Sequence, residues 1–190
     1  MDAPQHWKTC PPEVLRVALA TAGQDDEAGL QAVDQLLVDY QSDPTLHFLR
    51  GSVLASLRRY GDAEDAMRRS LSLDPSFDIA RFQLGFLQYS SGDPQTAQQT
   101  WLPLDERPPT NPLRLFATGL VTLARDQLRE GIDLLKDGMA RNTDVPPLNR
   151  DMQLIIDGLE ELQRQTNESQ EPVSSAQFLL QQSAAKRTMH

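Results

Sequence analysis

The amino-acid sequence repeats itself at a period of about 34 residues between Pro44 and Thr143. Windows that start at Pro44, Asp78 and Pro112 carry the same residue types at the same positions. The aligned positions are Phe48, Phe82 and Phe116; Gly51, Gly85 and Gly119; Ala63, Ala97 and Gly131; and Met67, Trp101 and Leu135. A period of this length is typical of a stacked array, in which each short helical unit buries its apolar face against its neighbours.

The recurring glycine is the most informative of these positions. Glycine in the middle of a helix costs about 1 kcal/mol relative to alanine. Its recurrence as Gly51, Gly85 and Gly119 therefore indicates a steric requirement. We predict that the second helix of each unit crosses the first at this glycine. The aligned small residues would lie opposite it, and the aligned bulky residues would fill the space between the two helices.

A further helical pair precedes the array. Pro11-Pro12 is a typical helix start, Gly23 ends that helix, and a second helix follows as far as Tyr40. Val17, however, stands where the later windows carry glycine. We therefore interpret this pair as a degenerate first repeat or an N-terminal cap, because the end units of arrays are commonly atypical.

A last long helix is predicted over residues 148–165, with the apolar residues Met152, Ile155, Ile156, Leu159 and Leu162 on one side. It would cover the exposed end of the array. Polar residues 166–175 indicate a flexible linker. The predicted organisation is an N-terminal tail and helical pair (1–43), three units (44–77, 78–111 and 112–145, within 44–147), a capping helix (148–165), and a linker with a short amphipathic tail (166–190).

The segment from Gly51 to Pro75, with Ala63 and Ala66-Met67, resembles the tetratricopeptide repeat, a helix-turn-helix unit of about this period that closes with a proline. The third window matches this pattern least well, because Thr143 stands where the closing proline would be. The resemblance implies an all-α fold, a right-handed α-solenoid of such units with an N-terminal helical pair and a C-terminal capping helix.

In this family the first helix of each unit lines a concave surface that binds ligands. The resemblance therefore implies an apolar, aromatic partner-binding groove formed by Phe48, Ser52, Ile79, Phe82, Phe86, Tyr89, Leu113, Phe116, Leu120 and Leu123. The alternative is that the three aligned phenylalanines are core residues, since an aromatic stripe on a helix is more often core than site. The tail segment Phe178, Leu179 and Leu180 is a candidate to dock into the groove of its own chain, or to be bound by another protein.

Composition excludes several classes of function. The chain has 27 acidic and 18 basic side chains and a formal net charge of −9, which argues against nucleic-acid binding. A single cysteine, Cys10, rules out an internal disulfide, and the presence of only three histidines argues against a metal site. No phosphate-binding loop or nucleophile motif is found, so we expect no catalytic residues, no cofactor and no enzyme activity.

The chain start has no pattern typical of a signal peptide, and no stretch approaches the length of a membrane span. The expected location is therefore the cytoplasm. The expected function is that of an adaptor or scaffold in a multi-protein assembly, which binds a peptide or helix of a protein partner. The alternative is a chaperone for a secreted or aggregation-prone client, similar in general character to the small acidic chaperones of type III secretion. A homodimer is compatible with the adaptor and with the chaperone function.

Overall fold

The computed structural model describes residues 8–169, with side chains described as far as Gln165. Over these residues the structure contains nine α-helices, one short 3-10 helix and no strand. The helices α1 to α9 are Pro12–Ala22, Asp26–Asp39, Pro44–Ser56, Tyr60–Leu73, Asp78–Ser90, Pro94–Trp101, Pro112–Ala124, Leu128–Arg141 and Pro146–Ser169; the 3-10 helix Leu102–Glu106 follows α6. The three aligned sequence windows thus begin at the first residues of α3, α5 and α7.

Short polar side chains followed by proline begin several helices. Asp43 Oδ1 accepts a hydrogen bond from the Thr45 N–H at 2.8 Å, at the start of α3. Asp93 and Asn111 cap α6 and α7 in the same way, at 2.9 and 3.1 Å. Proline has no backbone N–H group to donate. Its place directly after each cap is therefore favourable, because the first N–H groups of a helix have no partner within it.

The period of the sequence is also visible in the backbone of the turns inside the pairs α3–α4, α5–α6 and α7–α8. Arg58, Gly92 and Asp126 have positive φ angles of 60°, 89° and 61°. In each turn the N–H of this residue donates to the carbonyl oxygen three residues earlier. Only Gly92 adopts the left-handed conformation without steric cost. The three turns therefore share one geometry although their sequences differ.

The described residues form two compact units, 8–87 and 88–169, which divide within α5. In the first unit, α3 and α4 cross at Gly51. A Cβ atom at Gly51 would lie 2.7 Å from Met67 Cγ and 3.0 Å from the Ala63 carbonyl oxygen. The core of this unit is apolar and contains Ala18, Leu30, Val33, Leu49, Val53, Leu54, Ala63 and Ala66.

The second unit repeats this packing between α7 and α8. A Cβ atom at Gly119 would lie 2.8 Å from Leu135 Cδ2 and 3.1 Å from the Gly131 carbonyl oxygen. In both pairs, the mid-helix glycine thus lies under the predicted bulky side chain and beside the predicted small residue. The close approach of the helices explains why glycine recurs at these two positions in spite of its cost in helix stability.

The connection from α8 to α9 is held by two asparagines rather than by a closing proline. Asn142 Nδ2 donates to the Val145 carbonyl oxygen at 2.7 Å and to Asn149 Oδ1 at 2.8 Å. Asn149 Nδ2 donates back to the Met139 carbonyl oxygen at 3.2 Å. This network orders the chain where the third window departs from the repeat pattern, and α8 is continuous up to it.

Helix α9 packs on α8 through one apolar side, whose buried residues are Leu148, Met152, Ile155, Ile156 and Leu159. Lys136 of α8 and Glu160 of α9 form an ion pair at 3.1 Å. The helix ends at Ser169, so the first residues of the predicted linker are helical. Residues 1–7 and 170–190 lie outside the described part of the chain, and with them the predicted docking segment Phe178, Leu179 and Leu180.

Candidate functional site

In the first unit, three of the predicted groove residues take part in two aromatic pairs. Phe48 is half-buried and meets Phe77 edge-to-face, with ring centroids 5.3 Å apart and an interplanar angle of 65°. Phe82 is fully buried and stacks on half-buried Phe86, with centroids 6.0 Å apart and an angle of 11°. Ile79 is also half-buried. Each of these contacts limits the motion of a ring that keeps accessible surface.

Ser52, the polar member of the predicted groove, is half-buried on α3. Its Oγ donates to the Phe48 carbonyl oxygen at 3.1 Å, one helical turn earlier. This bond to the helix backbone occupies the hydroxyl proton. The accessible part of the predicted groove in the first unit is therefore mainly suited to apolar contacts.

In the second unit, two of the predicted groove residues pack against α8. A Cβ atom at Gly138 would lie 2.6 Å from Phe116 Cε1, and one at Gly131 would lie 2.6 Å from Leu123 Cδ2. Leu120 is fully buried and Leu113 is half-buried. Phe116 is thus a core side chain of the α7–α8 pair, as the alternative interpretation had it. Leu113 keeps accessible surface.

A signal for this placement was present in the sequence. Phe116 and Leu123 lie three residues before and four residues after Gly119, and such positions share one face of a helix. They therefore face α8 together with the glycine. By contrast, Phe77 was missed as a surface aromatic, because it precedes the first residue of α5 and has no counterpart in the other windows.

Tyr89 is the remaining predicted residue, and only 1% of its surface is exposed. Its ring lies 6.1 Å from that of Trp101, tilted by 38°. The phenolic oxygen is buried without a hydrogen-bond partner among the described residues. Burial raises the pKa of Tyr89 above its ordinary value of 10.0, since the charged form cannot be hydrated there.

A surface hollow is present among the described residues of each unit. In the second unit, a hollow of about 180 Å³ lies between α6 with the following 3-10 helix and α7, and Trp101, Asp105, Thr118 and Arg125 are among its lining residues. In the first unit, a hollow of about 400 Å³ lies between α1 and α2. This α1–α2 hollow is lined by Val14, Val17, Ala18, Ala32 and Leu36, with Glu13 and Gln35.

The described residues contain no cluster of three or more His, Cys, Asp or Glu side chains suited to holding a metal ion. Between residues 8 and 169, no helix has the length and apolar character needed to cross a lipid bilayer.

Helix pairs that cross at a buried glycine, and turns that recur at the period of the sequence, define the fold class: an all-α array of helix-turn-helix repeats with a tetratricopeptide-like fold. Solved structures of MamA, a tetratricopeptide-repeat protein, have this fold. The predicted fold class is thereby confirmed.

The similarity extends over most of the chain at low sequence identity. A crystal structure of MamA matches with a TM-score of 0.56 and 16% identity, over 67% of this chain and 75% of MamA. A double mutant of RS-1 MamA matches with a TM-score of 0.58 and 14% identity, over 94% and 96% of the two chains. MamA from Desulfovibrio magneticus RS-1, from residue 41 to the end, matches with a TM-score of 0.54 and 14% identity, over 93% and 95%. No family model and no curated protein matches the sequence.

Proposed function

We propose that this protein is a non-catalytic interaction module, an adaptor or scaffold, which binds an apolar segment of a partner protein. The proposed binding site is the aromatic surface of the first unit, which we define as Phe48, Phe77, Ile79 and Phe86. The observation that carries the proposal is that three phenylalanine rings of one unit remain half-buried, while large core side chains of the same unit, such as Leu46 and Leu54, are fully buried.

The arrangement of the rings favours tight binding. A phenylalanine side chain buries a large area at low cost in conformational entropy, and aromatic residues are frequent among those that dominate binding energy. Phe86 stacks on the fully buried ring of Phe82, and Phe48 packs edge-to-face with Phe77. Since these contacts already restrict the rings, little further freedom is lost when a partner covers them.

The chemistry of the surface indicates the kind of segment that it binds. The hydroxyl of Ser52 is engaged by its own helix, so binding depends on apolar contacts rather than on specific hydrogen bonds. Helical-repeat proteins commonly use one face of successive helices as an extended binding surface. The fold therefore supports the proposal, and the aromatic surface is the part of it that offers apolar contact.

The proposal is tested with a partner captured from a cell extract by the wild-type chain, identified, purified and then titrated against variants. We expect Phe86→Ala and Phe48→Ala each to weaken binding about tenfold, since each removes much of one apolar contact. Tyr60→Ala is the matched control, because Tyr60 is an exposed aromatic residue of the same unit at 41% exposure, outside the aromatic surface. Equal affinity of all three variants and the wild type would exclude this site.

The solubility of the captured partner also distinguishes an adaptor function from a chaperone function. An adaptor joins proteins that are stable alone, and binding leaves their solubility unchanged. A chaperone keeps soluble a client that aggregates on its own. Light scattering of the purified partner, with and without the chain at equal concentration, distinguishes the two.

A further inference from the structure

The first helical pair is built differently from the later ones. Val17 of α1 occupies the position held by Gly51 in α3, and 67% of its surface is exposed. Gly51, by contrast, is buried under Met67. A valine side chain has no room at such a crossing, so α1 and α2 do not use the glycine contact of the later pairs.

Helices α1 and α2 approach each other near their turn instead. A Cβ atom at Gly29 would lie only 2.4 Å from Ala22 Cα. The α1–α2 hollow extends away from this turn, from Ala18 and Ala32 towards Glu13 of α1 and Leu36 of α2. Ala18 is 3% exposed within it, whereas Val14 is 39% and Val17 67% exposed. Apolar side chains thus remain accessible in a concave region, which is the usual form of a docking site.

The net charge of the helical pair indicates the chemistry of the occupant of the hollow. Helices α1 and α2 with their connecting turn carry six carboxylates and a single guanidinium, that of Arg16. Three of the carboxylates, at residues 25–27, lie at the turn and not at the hollow. One of the carboxylates, Asp34, pairs with Arg50 of α3 at 2.7 Å. Glu13 is exposed and lines the hollow itself. A second copy of this surface would bring like charges together, whereas a basic segment would be attracted.

We infer that the α1–α2 hollow is a second binding surface, which takes an amphipathic helix of another protein with an apolar stripe and flanking lysine or arginine residues. The apolar stripe covers Val14 and Val17, and the basic residues face the carboxylates of the pair. This surface shares no residue with the aromatic surface, so the two proposals fail or hold independently.

The test uses the full-length chain and a fluorescent helical peptide of five turns with a leucine stripe and a lysine face. Its control peptide has the same leucines with glutamate in place of lysine. Val17→Ser removes an accessible apolar contact of the hollow, and Val38→Ser is the matched control, since Val38 is 70% exposed on α2 and does not line the hollow. We expect Val17→Ser to weaken binding of the lysine peptide about tenfold and Val38→Ser to leave it unchanged.

Several outcomes would overturn the inference. Equal binding of both variants and the wild type would show that the peptide is held elsewhere by net charge alone. Equal binding of the lysine and glutamate peptides would show that charge does not contribute to binding in the hollow. Dimerisation of the wild type in light scattering that Val17→Ser abolishes would make a second copy the occupant. Tighter peptide binding after deletion of residues 170–190 would make the chain's own C-terminal segment the occupant.

Discussion

Gly119 of α7 lies directly beneath Leu135 of α8, and a Cβ atom at Gly119 would approach Leu135 Cδ2 to 2.8 Å. Gly51 and Met67 have the same relationship in the first unit. The glycines therefore allow the two helices of a pair to approach each other closely. Their substitution has measurable consequences for the stability of each unit.

We expect Gly51→Ala to destabilise the protein by about 1 kcal/mol. The added methyl group meets both Met67 and the Ala63 backbone, at a cost of about 1–3 kcal/mol, and the gain in helix propensity offsets up to about 1 kcal/mol of it. Gly61→Ala is the control, because a Cβ atom there has nothing within 4 Å. It should leave stability unchanged or increase it. Urea unfolding measures both, and a stabilised Gly51→Ala variant would contradict the close approach.

Gly92→Ala should destabilise the protein by about 1 kcal/mol, since the φ angle of 89° is unfavourable for a side chain with a Cβ atom. The adjacent exposed Ser91 provides the control, and Ser91→Ala should change the free energy of unfolding by less than about 0.5 kcal/mol. Thermal unfolding of the two variants in parallel checks this difference. Equal melting temperatures would show that the left-handed turn is not required.

Phe82 and Phe86 should differ strongly although their rings stack on each other. Phe82→Ala empties a fully buried position and should cost about 3–5 kcal/mol. Phe86→Ala removes a half-buried ring and should cost less than half of that value. Urea unfolding of both variants measures the ratio. Similar losses would mean that Phe86 is as much a part of the core as Phe82, and would remove it from the proposed aromatic surface.

Tyr89→Phe should stabilise the protein by about 1 kcal/mol at neutral pH, because it removes a buried hydroxyl that lacks a hydrogen-bond partner among the described residues. It should also change the response to alkaline pH. The raised pKa of Tyr89 means that above pH 10 the unfolded chain ionises while the folded one does not, so wild-type stability falls as pH rises. The variant should lose less stability than the wild type between pH 10 and 11, and identical slopes would refute this.

Asn142→Ala should destabilise the protein by about 2 kcal/mol, because Asn142 is 7% exposed and bridges the end of α8 to Val145 and Asn149. Thr143→Ala, at an exposed neighbouring position, should have an effect of less than about 0.5 kcal/mol. Guanidinium unfolding compares the two. A neutral Asn142→Ala variant would show that α9 is held by its apolar side alone.

Much of the fold could be predicted from the sequence because it depends on local rules. Proline after Asp43, Asn111 and Asp93 marks helix starts, and Gly23 marks the end of α1, because caps act over a few residues. The left-handed turns were harder to predict from the sequence, because only one of them, at Gly92, carries the glycine that typically marks this conformation. Arg58 and Asp126 adopt the same conformation under the constraint of the packed helices on either side.

The sequence by itself determined the period, the helices and the glycines at which they cross. Only the tertiary structure decided which side chains each first helix packs against along its length, and hence which of its own side chains remain accessible. Phe48 and Phe116 are aligned in sequence, yet one is half-buried beside Phe77 and the other packs against Gly138. The room that a facing helix leaves for a side chain depends on the shapes of all the side chains between the two helices, a property of their joint packing that no single repeated position records.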